Sequence, residues 1–168
     1  LDHMMETPAI IRKIVWAQDN GFDAVIQSNT FDPGVDGGRL SVSIPVLGPF
    51  RTTLHSASIL TDRIGITVPL SSHVPYTWRL LRMLAMDDHV TDVKPIEIYG
   101  TDIQKRKGEL LDTAVEVIKG LAKGGAQAVI PLGGALIPYV VDPADLERLA
   151  GLPVYNTVSE AKAETGAT

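Results

Sequence analysis

One short pattern occurs twice in this sequence, and each copy predicts a buried strand that ends in small or polar residues. The first copy covers residues 21–34 and the second covers residues 125–134; both begin at glycine and continue into Ala-Val-Ile. Each is followed by another short apolar strand, at residues 44–46 and 152–154. Because parallel strands present ligand sites at their carboxyl ends, two similar halves predict a site between them.

Hydrophobic periodicity along the rest of the chain predicts strands that alternate with helices. This alternation is typical of an α/β fold with parallel strands and right-handed crossovers. The predicted strands are residues 24–27, 44–47, 63–68, 94–99, 128–132 and 153–155. The predicted helices are residues 7–21, 36–40, 50–60, 76–86, 109–123, 143–150 and a last one from Ser159.

The predicted start of the first helix is Thr7-Pro8, since an N-cap hydroxyl followed by proline is a helix-start signal. Residues 1–5 resemble a tag remnant or the beginning of a fragment, and we leave them out of the fold prediction.

Composition favours a globular protein with a small-molecule partner. Of the 168 residues, 45% are hydrophobic and 21% are charged, which is ordinary for a folded domain. The net charge of −5 argues against nucleic acid and against an anionic membrane surface, since both favour basic patches. No apolar run approaches the roughly 20 residues of a spanning helix. We therefore expect a cytoplasmic protein that binds neither nucleic acid nor membrane.

The sequence contains no cysteine, which excludes disulfides, thiolate nucleophiles and soft metal sites. The four histidines show no metal-ligand spacing, and phosphate-loop, dinucleotide-binding and serine-hydrolase motifs are absent. We expect neither a metal nor another cofactor.

Polar residues follow the strand of the first copy, at Asn29, Thr30 and Asp32. Their position at a strand end predicts a ligand site, and Asp32 is the candidate base because it is the ionisable side chain nearest that end. The alternative is a loop that satisfies its own backbone, since Asn and Asp before Pro-Gly are common turn residues.

Two further loops carry candidate binding residues. Residues 67–72, which include Thr67 and Val68, follow a strand and precede a helix, so their N–H and hydroxyl groups can face an anion. The alternative there is helix capping by a serine. Gly133 and Gly134 permit close approach of a ligand or of another backbone segment, so helix–strand packing is an alternative to binding.

The chain resembles the aspartate/glutamate/hydantoin racemase superfamily, and most of all its hydantoin and allantoin racemase branch. The resemblance lies in the order and spacing of several segments rather than in one motif: residues 23–26, 31–34, 44–48, 63–67, 124–130 and 151–154.

The resemblance implies two flavodoxin-like, three-layer α/β/α halves that face each other across a pseudo-two-fold axis. The first half would comprise residues 7–48 with 153–168, and the second would comprise residues 49–152. The family's opening strand has no counterpart here, so the expected first half is N-terminally incomplete. Apolar surface left uncovered in this way predicts a homo-oligomer.

Members of this family use two cysteines, one from each half, as opposing bases. The resemblance places these positions at Asn29 and Gly133, the second uncertain by one residue because Gly134 is adjacent. An amide and a glycine cannot transfer protons at neutral pH, so the fold is expected to carry over without the two-thiol mechanism. The implied substrate-binding set is Asn29, Thr30, Thr67, Val68, Gly133 and Gly134.

The expected function is therefore racemase- or isomerase-like proton transfer next to a carbonyl group, on a small carboxylate or a hydantoin-like cyclic amide. One alternative is a non-catalytic small-acid binding protein that kept the cleft. A lyase or hydrolase on the same scaffold and an inactive fragment of a longer enzyme are further alternatives.

Overall fold

The computed structural model describes residues 2–100 and 103–163, with side chains described over residues 5–100 and 103–160. Two short strands, β1 (Val25–Ile26) and β2 (Val46–Leu47), form a small parallel sheet. They correspond to the strand of the first sequence copy and the apolar strand that follows it.

A second parallel sheet contains three strands in the order β4-β3-β5. These are β3 (Ile64–Val68), β4 (Val90–Pro95) and β5 (Ala128–Pro131). Every residue of β3 and β5 is buried, as expected for parallel strands that are covered on both faces. The α/β class predicted from the sequence is confirmed.

Helices connect the strands and cover the larger sheet. Within the described residues they are α1 (Asp2–Asp19), α2 (Val35–Arg39), α3 (Pro49–Leu60), α4 (Val74–Met83), α5 (Lys107–Lys123), α6 (Pro143–Ala150) and α7 (Thr157–Ala163).

The larger sheet separates two hydrophobic clusters, because neighbouring residues of a strand face opposite sides. Val129 belongs to a cluster with residues of α5 and α6, such as Ile118 and Leu146. Ile130, the next residue, belongs to a cluster with residues of α3 and α4, such as Leu54. This two-sided packing fixes the register of β5 and therefore the point at which its carboxyl end emerges.

A third cluster joins α1 and α2 to the small sheet and contains Ile14, Val35 and Val46. Glycine in α2 leaves room for this contact. A Cβ added at Gly38 would lie 2.5 Å from Ile14 Cδ1, so the end of the Ile14 side chain would have to shift to admit a larger residue.

The sequence places one strand too late. Residues 94–99 are the predicted strand, whereas β4 covers Val90–Pro95. Among the described residues, β4 pairs with β3 alone and lies at the edge of the sheet, where polar residues such as Thr91 and Asp92 are common. Ile96 and Ile98, which follow the strand, are buried and supplied the misleading apolar signal.

The first helix begins earlier than predicted. α1 starts at Asp2 and continues through Pro8, so Thr7-Pro8 is not a helix start. A proline inside a helix removes one hydrogen bond, but its fixed φ is compatible with helical backbone.

The C-terminal segment contains no extended strand over 153–155. In its place, Val154 makes a single parallel bridge to Val129 of β5. The following helix, α7, packs against α3, and Tyr155 packs against the cluster that contains Phe31. The division into halves and the pseudo-two-fold relation stay predictions.

The helix α5 supplies a direct test of this packing. Ile118 is fully buried, whereas Ile59 on α3 is 83% exposed. We expect Ile118→Ala to lower the free energy of unfolding by about 2–5 kcal/mol, because it leaves a cavity in the core. The matched control Ile59→Ala is expected to change it by less than about 0.5 kcal/mol. Urea unfolding measures both, and equal losses would contradict the packing.

Candidate functional site

The two strand ends singled out in the sequence meet in the structure. Thr30, in the loop after β1, is 2% exposed, and its Oγ1 accepts a hydrogen bond of 2.7 Å from the N–H of Gly133. Gly133 lies in the loop after β5, so this bond joins the small sheet to the larger one.

A cavity of about 870 Å³ lies at this junction. We call it the strand-end cavity, because loops that follow β1, β3 and β5 supply most of its wall. Its lining residues are Glu6, Ser28, Asn29, Thr30, Phe31, Pro69, Leu70, Ser72, His73, Tyr76, Tyr99, Gly133, Gly134, Ala135 and Tyr139. A site at the carboxyl ends of parallel strands is the usual position in α/β proteins.

The two glycines after β5 differ in what a side chain would meet. Gly133 has φ +94°, and a Cβ added there would overlap Pro69. A Cβ added at Gly134 would lie 3.5 Å from Thr30 Cγ2 and 4.0 Å from the Ser28 carbonyl oxygen, which are ordinary contacts. A side chain can therefore enter the cavity from Gly134 but not from Gly133. This geometry favours Gly134 over Gly133 as the position of the family's second cysteine.

Backbone donors surround the bond between Thr30 and Gly133. In the described part of the chain, the N–H groups of Gly134 and Ala135 have no hydrogen-bond acceptor. Because Oγ1 of Thr30 accepts a bond from Gly133, its own O–H remains to donate. Gly134, Ala135 and Thr30 all line the cavity, so these donors are available there to an oxyanion or a carboxylate.

Asn29 lines the cavity and also holds its own turn. Its Oδ1 accepts a bond of 3.0 Å from the Phe31 N–H, and its N–H donates to Gln27 Oε1 at 2.9 Å. The two interpretations of Asn29, turn residue and site residue, are therefore both consistent with the structure.

Thr67 and Val68, predicted to bind substrate, do not line the cavity. Both are fully buried within β3. The lining begins one residue later, at Pro69, because strand residues point into the two clusters that flank the sheet while the loop turns toward the cavity. In the structure, the loop after β3 therefore contributes to the cavity through Pro69, Leu70, Ser72 and His73 rather than through Thr67 and Val68.

Asp32, the candidate base, lies outside the cavity lining and is 6% exposed. Its carboxylate accepts bonds from the N–H groups of Phe50 and Arg51, at 2.9 and 3.0 Å, and from Arg51 Nε at 3.0 Å. Burial raises the pKa of Asp32, although the bonds from Arg51 and Phe50 act in the opposite direction. A buried carboxylate that accepts three hydrogen bonds and does not line the cavity is poorly placed to take a proton from a substrate, so these contacts favour a structural role for Asp32.

Arg51 extends this interaction to a second acid. Its Nη1 donates to Asp36 Oδ1 at 2.7 Å, and this bond is the main cause that lowers the pKa of Asp36. Gly48 is required beside the pair, since a Cβ there would overlap the Asp32 carboxylate. The loop after β1 is thereby attached to the first turn of α3.

Several lining residues had no sequence signal as site residues. Ser28, His73, Tyr76 and Tyr139 belong to no motif, and the spacing of the histidines indicates no metal site. Their common property is that they lie in or just after loops that leave the carboxyl end of a strand, which is visible only once the strands are placed. Among the described residues, no group of three or more His, Asp or Glu side chains is arranged to hold a metal ion.

The fold and the site define an α/β protein with a ligand cavity at the carboxyl ends of parallel strands from two sheets. Residues 3–165 match the family described as Asp/Glu/hydantoin racemase, and the chain belongs to that family. This confirms the resemblance found in the sequence.

Individual relatives agree with this assignment. A hydantoin racemase of Rhizobium meliloti is 26% identical over 163 residues, which cover 95% of this chain and 66% of that protein. The chain thus spans about two thirds of the length of this relative.

Two solved structures share the fold. An allantoin racemase from Pseudomonas fluorescens has a TM-score of 0.85 at 17% identity, covering 99% of this chain and 72% of that one. An allantoin racemase from Klebsiella pneumoniae has a TM-score of 0.82 at 19% identity, covering 99% of this chain and 70% of that one. Within the described residues, no helix is both long and apolar enough to cross a membrane.

The buried ion pair gives a stability prediction. Arg51→Met keeps most of the side-chain volume but leaves the Asp32 carboxylate without its cation, so we expect a loss of about 3–5 kcal/mol in the free energy of unfolding. Arg148→Met is the control, because Arg148 pairs with Asp145 at the surface and such pairs contribute less than about 1 kcal/mol. Chemical unfolding compares the two variants, and an equal effect would show that burial of the pair is unimportant.

The two glycines give a second prediction. Gly133→Cys is expected to cost roughly 1–3 kcal/mol, because it places a side chain at positive φ against Pro69. Gly134→Cys is expected to keep the stability of the parent and to expose its thiol to the cavity. Since the sequence has no other cysteine, labelling by a small thiol reagent reports this thiol alone. If Gly133→Cys were stable and Gly134→Cys did not react, Gly133 rather than Gly134 would be the position that corresponds to the family's second cysteine.

Proposed function

We propose that the strand-end cavity binds a small carboxylate or a hydantoin-like cyclic amide, and that the protein moves a proton at the carbon next to the carbonyl group. The observation that carries this proposal is the hydrogen bond from Gly133 to Thr30, which joins the two strand ends beside the N–H groups of Gly134 and Ala135. The resulting activity is of the racemase and isomerase class.

The donor arrangement suits this chemistry. Removal of a proton next to a carbonyl group transfers negative charge to the carbonyl oxygen, and fixed donors near that oxygen lower the barrier. The N–H groups of Gly134 and Ala135 and the hydroxyl of Thr30 are such donors, and they belong to backbone or buried positions that need little reorganisation.

The charged residues that line the strand-end cavity restrict the class of substrate. The described lining contains one carboxylate, Glu6, and neither lysine nor arginine. A dicarboxylate such as aspartate or glutamate would bring a second negative charge without a cationic partner. We therefore favour a neutral cyclic amide or a monocarboxylate.

Aromatic side chains support the same choice. Phe31 and Tyr76 lie with ring centroids 5.9 Å apart, and Tyr99 and Tyr139 are exposed at the cavity. Burial raises the pKa of Tyr76, so its phenol stays protonated at neutral pH. Such rings pack well against a flat ring in the ligand.

The alternative is a non-catalytic binding protein. It is supported by the resemblance, which places the family's two cysteines at Asn29 and at Gly133 or the adjacent Gly134, because these residues carry an amide and no side chain. The homo-oligomer and the cytoplasmic location expected from the sequence stay predictions.

Deuterium exchange distinguishes the enzyme from the binding protein. We expect loss of the α-proton signal in D2O, followed by NMR, for 5-benzylhydantoin, allantoin or L-phenylalanine but not for L-glutamate. Binding without exchange would support the alternative, and exchange of L-glutamate alone would contradict the substrate proposal.

Thr30→Val tests the donor site through the affinity for the same probes. It removes the hydroxyl and leaves the Gly133 N–H without an acceptor, so we expect the dissociation constant of the bound probe to rise about 10- to 100-fold, equivalent to roughly 1–3 kcal/mol. Thr113→Val on α5, outside the cavity lining, is the control and is expected to bind as the parent does.

A further inference from the structure

The strand-end cavity contains five described side chains that can exchange a proton: Glu6, His73, Tyr76, Tyr99 and Tyr139. Phenols ordinarily titrate near pH 10 and carboxyls near pH 4. Imidazole is the group whose ordinary pKa lies near neutrality, where it both accepts and returns a proton efficiently. His73 is therefore the lining residue best suited by its chemistry to acid–base catalysis.

The backbone holds His73 in a defined position. It is the last residue of a 3-10 turn, Ser71–His73, and directly precedes α4. Its N–H donates to the Leu70 carbonyl oxygen at 2.9 Å, and its own carbonyl oxygen accepts the hydroxyl of Thr77 at 2.9 Å. A residue fixed in this way can present its ring to the cavity reproducibly.

The imidazole shares the cavity lining with Thr30 and contacts the residue that follows Thr30 in the chain. Its ring centroid is 5.2 Å from that of Phe31, and Phe31 directly follows Thr30, whose hydroxyl bonds to Gly133. His73 thus reaches the cavity from the loop after β3, while the donors come from the loops after β1 and β5.

We propose that His73 is the acid–base residue of this cavity and that it acts alone, in place of the family's pair of thiols. This inference rests on the proposed function. The chain has no thiol, Gly134 has no side chain, and the Asp32 carboxylate is bound to Phe50 and Arg51 outside the cavity. Glu6, an exposed residue of α1, is the competing base.

The proposed step is balanced without a co-reactant. The neutral imidazole takes the proton from the carbon next to the carbonyl group, and the electron pair of that C–H bond moves to the carbonyl oxygen. The enolate formed is stabilised by the donors around Thr30 and Gly134. The imidazolium then returns a proton to the same carbon, and nothing is oxidised or reduced.

A single base returns the proton to the face from which it came, so inversion of the carbon requires the enolate to turn over in the cavity before the proton is returned. Exchange with solvent should therefore proceed faster than loss of optical activity, whereas two opposing bases would make the rates comparable. The test uses enantiopure 5-benzylhydantoin with the full chain in D2O, follows exchange by NMR and configuration by polarimetry, and subtracts a protein-free blank.

Four variants complete the test, and the fourth, Glu6→Gln, examines the competing base. We expect His73→Ala and His73→Gln to lower the exchange rate by about 10²–10⁴-fold, with the probe still bound, and free imidazole to restore part of the rate only in His73→Ala. His55→Ala, an exposed histidine of α3 outside the lining, is the matched control and should exchange at the parental rate. Circular dichroism verifies that each variant is folded.

The outcomes separate this inference from the proposed function. If the parent exchanges the α-proton and His73→Ala exchanges it at the same rate, the inference about His73 is overturned and the proposed function stands. If only Glu6→Gln loses exchange, Glu6 is the base. If racemisation is as fast as exchange, two bases act on the substrate, and the proposal that His73 acts alone is overturned. Absence of exchange in the parent with every probe overturns the function and the inference together.

Discussion

The hydrogen bond between Thr30 Oγ1 and the Gly133 N–H is the contact on which the site depends, because it joins loops that are about a hundred residues apart in sequence. One loop follows β1 of the small sheet and the other follows β5 of the larger sheet. The bond holds the two loops together, and both form walls of the same cavity. The bond is 2.7 Å long and part-buried, with Thr30 2% exposed. The neighbouring N–H groups of Gly134 and Ala135 are held in place by the same turn.

Much of the fold could be predicted from the sequence, and the limits have physical causes. Strands β3 and β5 are fully buried and therefore continuously apolar, so their positions are clear from hydrophobicity alone. β4 is an edge strand with polar residues such as Asp92, so its signal was weaker than that of the buried Ile96 and Ile98 beyond it.

The candidate site was predictable in its location but not in its chemistry. Four of the predicted site residues line the cavity: Asn29, Thr30, Gly133 and Gly134. They could be predicted because the ends of buried strands can be recognised in a sequence. The role of Asp32 was not predictable, since its partner Arg51 lies 19 residues away and the burial of the pair depends on how α3 packs. His73 was missed because its position depends on the three-dimensional meeting of three loops.

The attachment of Asp32 to α3 has a mechanical consequence. The carboxylate is held by two N–H groups and one guanidinium at the start of that helix, and α3 packs against α7. A loop fixed at several points to a helix shifts only together with it. The side of the cavity formed by Asn29 and Thr30 is therefore coupled to the position of α3, and through α3 to α7.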